Sequence, residues 1–197
     1  MDENWVMPSV VPAMLAVAVL ATASALSPLP RGSADFRLGV FRAQVDSAVA
    51  ARQLPVISNG GAYLVCGSDD PRVEYEQYSF FQAPHGIRLL WKVTIGYHLG
   101  ASRGDLDTVL TDLRGLLGEP SSDTGGATGA TNAAGELVQP PARQVIWADP
   151  STAVQLAARW GDGPPHPADR MMVTWTDRRL QRLVDARRKQ GKSADSE

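Results

Sequence analysis

In GIRLLWKVTIGYHL (86–99), apolar side chains fall at Ile87, Leu89, Trp91, Val93, Ile95, Tyr97 and Leu99, against Arg88, Leu90, Lys92, Thr94, Gly96 and His98. A period of two over that length predicts a strand with one buried face. On this reading Leu90 is the one large apolar residue on the polar side, a candidate anchor for an external contact. Two shorter strands are predicted ahead of it, AYLVCG (62–67) and RVEYEQYSFF (72–81). Before them, LGVFRAQVDSAVAARQL (38–54) places Leu38, Phe41, Val45, Ala48 and Val49 at helical spacing and stops at Pro55. A second helix is predicted over 104–120, with Leu106, Val109, Leu110, Leu113, Leu116 and Leu117 on one stripe. Asp105 can cap its start, and Gly118 with Pro120 ends it.

Further along, RQVIWAD (143–149), TAVQLAARW (152–160) and RMMVTWT (170–176) predict three more strands. The closing DRRLQRLVDARRKQ carries Leu180, Leu183 and Val184, a narrow stripe that suits a helix or a short strand. Helix and three strands thus occur twice. The expected fold is α+β: two αβββ units forming one antiparallel sheet with helices packed on one face. The first unit spans 36–100 and the second 101–192, leaving a tail at 193–197. Within the second, SSDTGGATGATNAAGELVQPP (121–141) is small, polar and Gly-rich, and reads as a flexible insert. It lacks the Gly-Lys-Ser/Thr ending of a phosphate loop.

The N-terminus changes the picture from fold to location. VVPAMLAVAVLA (10–21) is apolar throughout and is followed by Ala23-Ser24-Ala25. A run of that length before an A-x-A site reads as a signal peptide over 1–25, cleaved after Ala25, with an uncleaved membrane anchor as the alternative. Asp2 and Glu3 stand where a signal usually carries a base, and a start at Met7 removes both. Residues 26–35 read as a linker. The chain carries 21 acids and 19 bases, and loss of Asp2 and Glu3 leaves it neutral. Neutrality argues against a dedicated nucleic-acid binder. The charge is uneven, with eight bases and two acids between Arg170 and Lys192. This reads as a solvated helix face, with contact to a membrane surface as the lesser alternative.

Candidate chemistry is sparse. Asp69, Asp70, Glu74 and Glu76 crowd eight positions. Pairing Phe81 with Ile87 in a hairpin puts Tyr75, Gln77 and Ser79 on the buried side, and sets Glu76 across from Lys92 and Glu74 across from Thr94 on the wet side. Asp69-Asp70-Pro71 then makes the preceding turn. The single cysteine, Cys66, lies in an apolar run and reads as a small buried hydrophobe. A pocket joining Cys66 and His98 is the basis of the enzymatic alternative, a small extracytoplasmic enzyme. His85 and His166 fall in Pro-containing loops, and no zinc spacing or G-x-S-x-G elbow occurs. No catalytic, cofactor or metal set assembles, so no cofactor is assigned. Trp147 and Trp160, if exposed, would mark a contact surface together with Leu90.

The order helix, LLGEP, polar gap, a strand with Trp147 and the strand MMVTWTD, over residues 104–177, resembles the small periplasmic SmpA/OmlA-type domains. The tandem αβββ arrangement is similar to the β-lactamase inhibitor protein fold. The resemblance implies a non-enzymatic, protein-binding module outside the cytoplasm, periplasmic or secreted. The lipidated cysteine of those lipoproteins has no counterpart here.

Overall fold

The computed structural model describes residues 28–32, 36–98, 104–125, 130–131, 137–139, 142–160 and 170–194. Residues 1–25, read above as a signal peptide, His166 and most of the Gly-rich insert lie outside them, as does the His98 side chain. Among the described residues, no helix is long and apolar enough to cross a membrane.

The chain is α+β. Helix α1 (Arg42–Ala51) leads into β1 (Val56–Asn59), β2 (Tyr63–Cys66), β3 (Val73–Gln82) and β4 (Arg88–His98), the last two joined by a 3-10 turn at Pro84–Gly86. Helix α2 (Gly104–Leu117) follows. Next come β5 (Ser122–Asp123), β6 (Ala130–Thr131), β7 (Leu137–Gln139), β8 (Ala142–Ala148), β9 (Thr152–Arg159) and β10 (Arg170–Asp177), and helix α3 (Arg178–Ala194) closes the chain. Eight strands form one sheet in the order β1-β2-β3-β4-β10-β9-β8-β5, and β6 pairs β7 separately. All pairings are antiparallel. The insert is therefore not structureless throughout: Ser122 and Asp123 add to β8, and Ala130–Thr131 pairs Leu137–Gln139. Strand β1 has no counterpart in the sequence reading, because VISN is too short to show a period.

One face of the sheet carries the core. Leu64, Tyr78, Phe80, Val93, Val173, Trp175, Leu156 and Trp147 pack there with Val45 and Val49 of α1 and Leu106, Val109, Leu110 and Leu113 of α2. Phe36 meets Trp175 edge-on at 5.6 Å, an aromatic geometry favoured by the ring quadrupoles. Gly118 ends α2 with φ +77, a left-handed turn that favours glycine, and its N–H donates to Arg114 O at 2.8 Å. Asp105 and Asp107 sit in the first turn of α2, where a negative charge complements the helix dipole.

Two expectations fail at the sheet. The hairpin pairs Phe81 with Leu89, not Ile87, and beyond Ser79 two residues, Trp91 and Lys92, stand against one. This bulge shifts the register, so Tyr78 faces Val93 and Glu76 faces Ile95 on the core side, while Gln77 faces Thr94 and Ser79 faces Lys92 on the other. A one-residue slip exchanges every side chain between faces. Trp91 thereby leaves the core, and Leu90 enters it with no exposure. The second failure concerns the helices. α1 and α2 cover the core face, but α3 crosses the opposite one. Its Arg187 lies 4.7 Å over Phe81, and Val184 and Arg188 face Gln77, Ser79 and Lys92 across a groove.

The stretch read as a linker is tied down at 28–32. Leu29 N–H donates to Asp149 Oδ2 at 2.6 Å, and the Arg31 guanidinium pairs with Asp177. Asp149 Oδ1 also accepts from the N–H groups of Ser151 and Thr152, each at 2.6 Å. Asp177 Oδ1 caps α3 through the N–H groups of Arg179 and Leu180. Burial works to raise the Asp149 pKa, but the donors from Thr152, Ser151 and Leu29 outweigh it and hold the carboxyl below its ordinary 3.8. Asp149→Ala is expected to destabilise the fold by about 1.5–3 kcal/mol at neutral pH, the range for hydrogen bonds to a charged group. A depressed folded pKa means stability present above the unfolded pKa and lost as pH falls through the folded one. The gap between wild type and variant therefore narrows below about pH 4, which urea unfolding at neutral and acidic pH reads directly.

Candidate functional site

The acidic stretch resolves into two parts. Asp70 accepts from the Arg72 backbone N–H at 2.9 Å and pairs with its guanidinium, so it makes the turn ahead of β3. Asp69 pairs with Arg52 at 2.6 Å, and that guanidinium holds its carboxyl below the ordinary range. Glu74 lies 3.6 Å from Arg170 at the surface. Glu76 differs. It is buried on the core face beneath α1, where it accepts from both Arg52 terminal nitrogens at 3.0 and 3.2 Å, from Ser68 Oγ at 2.7 Å and from the Tyr78 hydroxyl. Burial and the neighbouring carboxylate push the Tyr78 hydroxyl pKa far up, so it stays protonated as a donor. Every Glu76 oxygen is engaged. The group is a closed structural network with no lone pair turned toward a ligand.

Cys66 pairs across from Glu76 and is fully buried. Burial first, then the Glu76 charge, pushes its thiol pKa up, away from the thiolate a nucleophile needs. The other half of the proposed pair, the His98 side chain, lies outside the described residues. Among those residues, no group of three or more His, Cys, Asp and Glu is placed to hold a metal.

The apolar surface candidates move inward. Leu90 has no exposure and Trp147 has 1%. Neither can meet a partner. The Trp147 indole N–H instead donates to Gly118 O at 2.9 Å, fixing the end of α2 on β8. Trp160 is half-buried against the core.

The side of the sheet away from α1 and α2 is only partly covered, although Ser79, Thr94 and Gly96 are buried in it. The register builds it as rows running across β3, β4, β10 and β9: Tyr75, Gly96, Met172 and Ala157; Gln77, Thr94, Thr174 and Gln155; Ser79, Lys92, Thr176 and Ala153. The middle row is hydroxyl and amide only, with Thr94 and Thr174 Oγ1 atoms 3.5 Å apart. In the first row the Tyr75 ring lies across Gly96, where a Cβ would sit 2.3 Å from it, and its hydroxyl reaches Met172 Sδ at 3.7 Å. α3 crosses only the end of this face.

Two clefts result. One of about 690 Å³ lies at the Tyr75–Met172 end, with Arg159, Arg170 and Glu74 at its rim. The other, about 430 Å³, lies under α3 and carries Lys92, Arg187 and Arg188. Five bases and one carboxylate line the pair. The sequence marked the basic C-terminal segment but not what it faces, because the helix direction across the sheet is a tertiary fact. No protein-family model, curated protein or solved structure matches the chain.

Proposed function

We propose that the chain is an exported, non-enzymatic interaction module, periplasmic or extracellular, which binds a protein partner on the sheet face opposite α1 and α2. The observation that carries this reading is the asymmetry of the sheet. One face is filled by two helices and a continuous core, while the other offers rows of polar and small side chains, two clefts and an excess of positive charge. Positive charge around apolar and aromatic groups favours a partner of opposite sign and speeds its encounter.

The fold is read as two αβββ units. The order β2-β3-β4-β10-β9-β8 supports this: each half runs as a three-strand meander after its helix, and the third strands meet at the centre. β1 and β5 are additions at the outer edges. The resemblance to SmpA/OmlA-type domains points the same way. The enzymatic alternative gains nothing from Cys66, whose thiol is buried and held protonated.

A photo-cross-linking amino acid at Met172, 42% exposed on the open face, tests the surface against one at Leu116, 51% exposed on α2. Expression in the native host with the leader intact should yield a discrete adduct from Met172 only, on a chain whose N-terminus by mass spectrometry begins after Ala25. Adducts from both positions, or from neither, contradict the assignment, and a retained leader contradicts the processing.

A further inference from the structure

We infer that the groove between α3 and the sheet is a docking site for an extended acidic peptide segment. The inference rests on the open face being the binding surface and specifies which part engages which chemistry. Three cations project from its two walls, Lys92 from β4 and Arg187 and Arg188 from α3, and no carboxylate lines it among the described residues. Two of them are already oriented. The Arg187 guanidinium lies 4.7 Å over Phe81 and donates to Gln82 O, and Lys92 Nζ stands 5.3 Å over Trp91. These contacts hold the long side chains in place, which reduces the ordering entropy lost when an anion binds.

The floor adds directional groups. Gln77 presents an amide, able both to donate to and to accept from a peptide backbone, at a β3 register position that faces the groove, with Ser79 buried beside it. Trp91 supplies a half-buried aromatic surface, and Arg and Trp are the residue types that concentrate binding energy at protein interfaces. The groove is open to solvent, whereas small-ligand sites enclose most of their ligand. A chain segment fits that openness, and clustered arginines are an established way to read acidic motifs. A flat lipid surface does not reach Trp91 or Gln77 beneath the helix.

The probe is a short fluorescein-labelled peptide of glutamates flanking one phenylalanine, followed by anisotropy against the full mature chain. Binding should appear at low ionic strength, weaken with salt and vanish for the glutamine version of the peptide. Lys92→Gln and Arg188→Gln should each weaken it by roughly tenfold, consistent with loss of a close charge pair. Arg114→Gln, on α2, should leave it unchanged. Trp91→Ala should weaken it as much as the charge changes, and circular dichroism of that variant confirms that it folds; if it does not, Lys92→Gln decides. No binding, equal binding of the glutamine peptide, indifference to Lys92→Gln, or stronger binding to phosphatidylglycerol vesicles overturns the inference. If Met172 cross-links persist in any of those cases, the open-face reading stands and only the groove assignment falls.

Discussion

Glu76→Ala is expected to lower the unfolding free energy by about 3 kcal/mol, the low end of the range for breaking a buried ion pair. The substitution removes the acceptor of four hydrogen bonds at once: two from the Arg52 guanidinium and one each from the Ser68 hydroxyl and the buried Tyr78 hydroxyl. Unsatisfied buried donors carry the full desolvation penalty. Arg52 keeps Asp69 as a partner, which is why the low end applies. Glu74→Ala, two residues away, removes a surface contact to Arg170 and should cost under about 1 kcal/mol. Urea titrations of the two variants side by side check the contrast. Equal effects would mean that Glu76 lies on the solvent side after all, as the unshifted hairpin register would have it.

Trp147→Ala should cost about 3–5 kcal/mol, as large-to-small changes of an aromatic core residue do. The ring is almost fully buried between β8 and the end of α2, and its N–H is the partner of Gly118 O. Trp147→Phe separates the two contributions. Phenylalanine retains much of the packing but leaves that carbonyl unpaired, so roughly 1–3 kcal/mol should remain. Thermal and denaturant unfolding of the pair measure it. A phenylalanine variant as stable as wild type would show that the carbonyl finds water instead.

Much of the secondary structure is legible in the chain, because it follows from local spacing. The stripe from Leu106 to Leu117 and the strands around Val145, Val154 and Val173 appear within a residue or two of where the patterns put them. What the pattern misses is set by pairing. The alternation from Ile87 to Leu99 looks unbroken, yet the bulge at Trp91 divides it, so that Leu90 and Val93 share the core face. Leu90 was the visible sign: a large apolar residue out of phase is what a bulge leaves in a sequence. Glu76 was misplaced for the same reason, since an acid in an alternating strand reads as solvent-facing unless the arginine above it is known. The open face was legible only in its parts. Lys92 and Arg188 are 96 positions apart in the chain, and nothing local tells that α3 folds back over β4.

The two middle strands of the sheet have a consequence for how the molecule forms. β4 and β10 are joined across the centre, with Thr94 against Thr174, 80 residues apart. Closing so long a loop precedes any reward from the contacts it makes, and non-local pairings of this kind slow folding. The first meander can assemble early through connections of a few residues, but the second meander and the join both wait for β10 to exist. A chain ending before Arg170 would keep β4 as a bare edge, able to recruit strands from other molecules. The same join is what turns two half-sheets, each with an inner edge that would otherwise be bare, into a single eight-stranded unit.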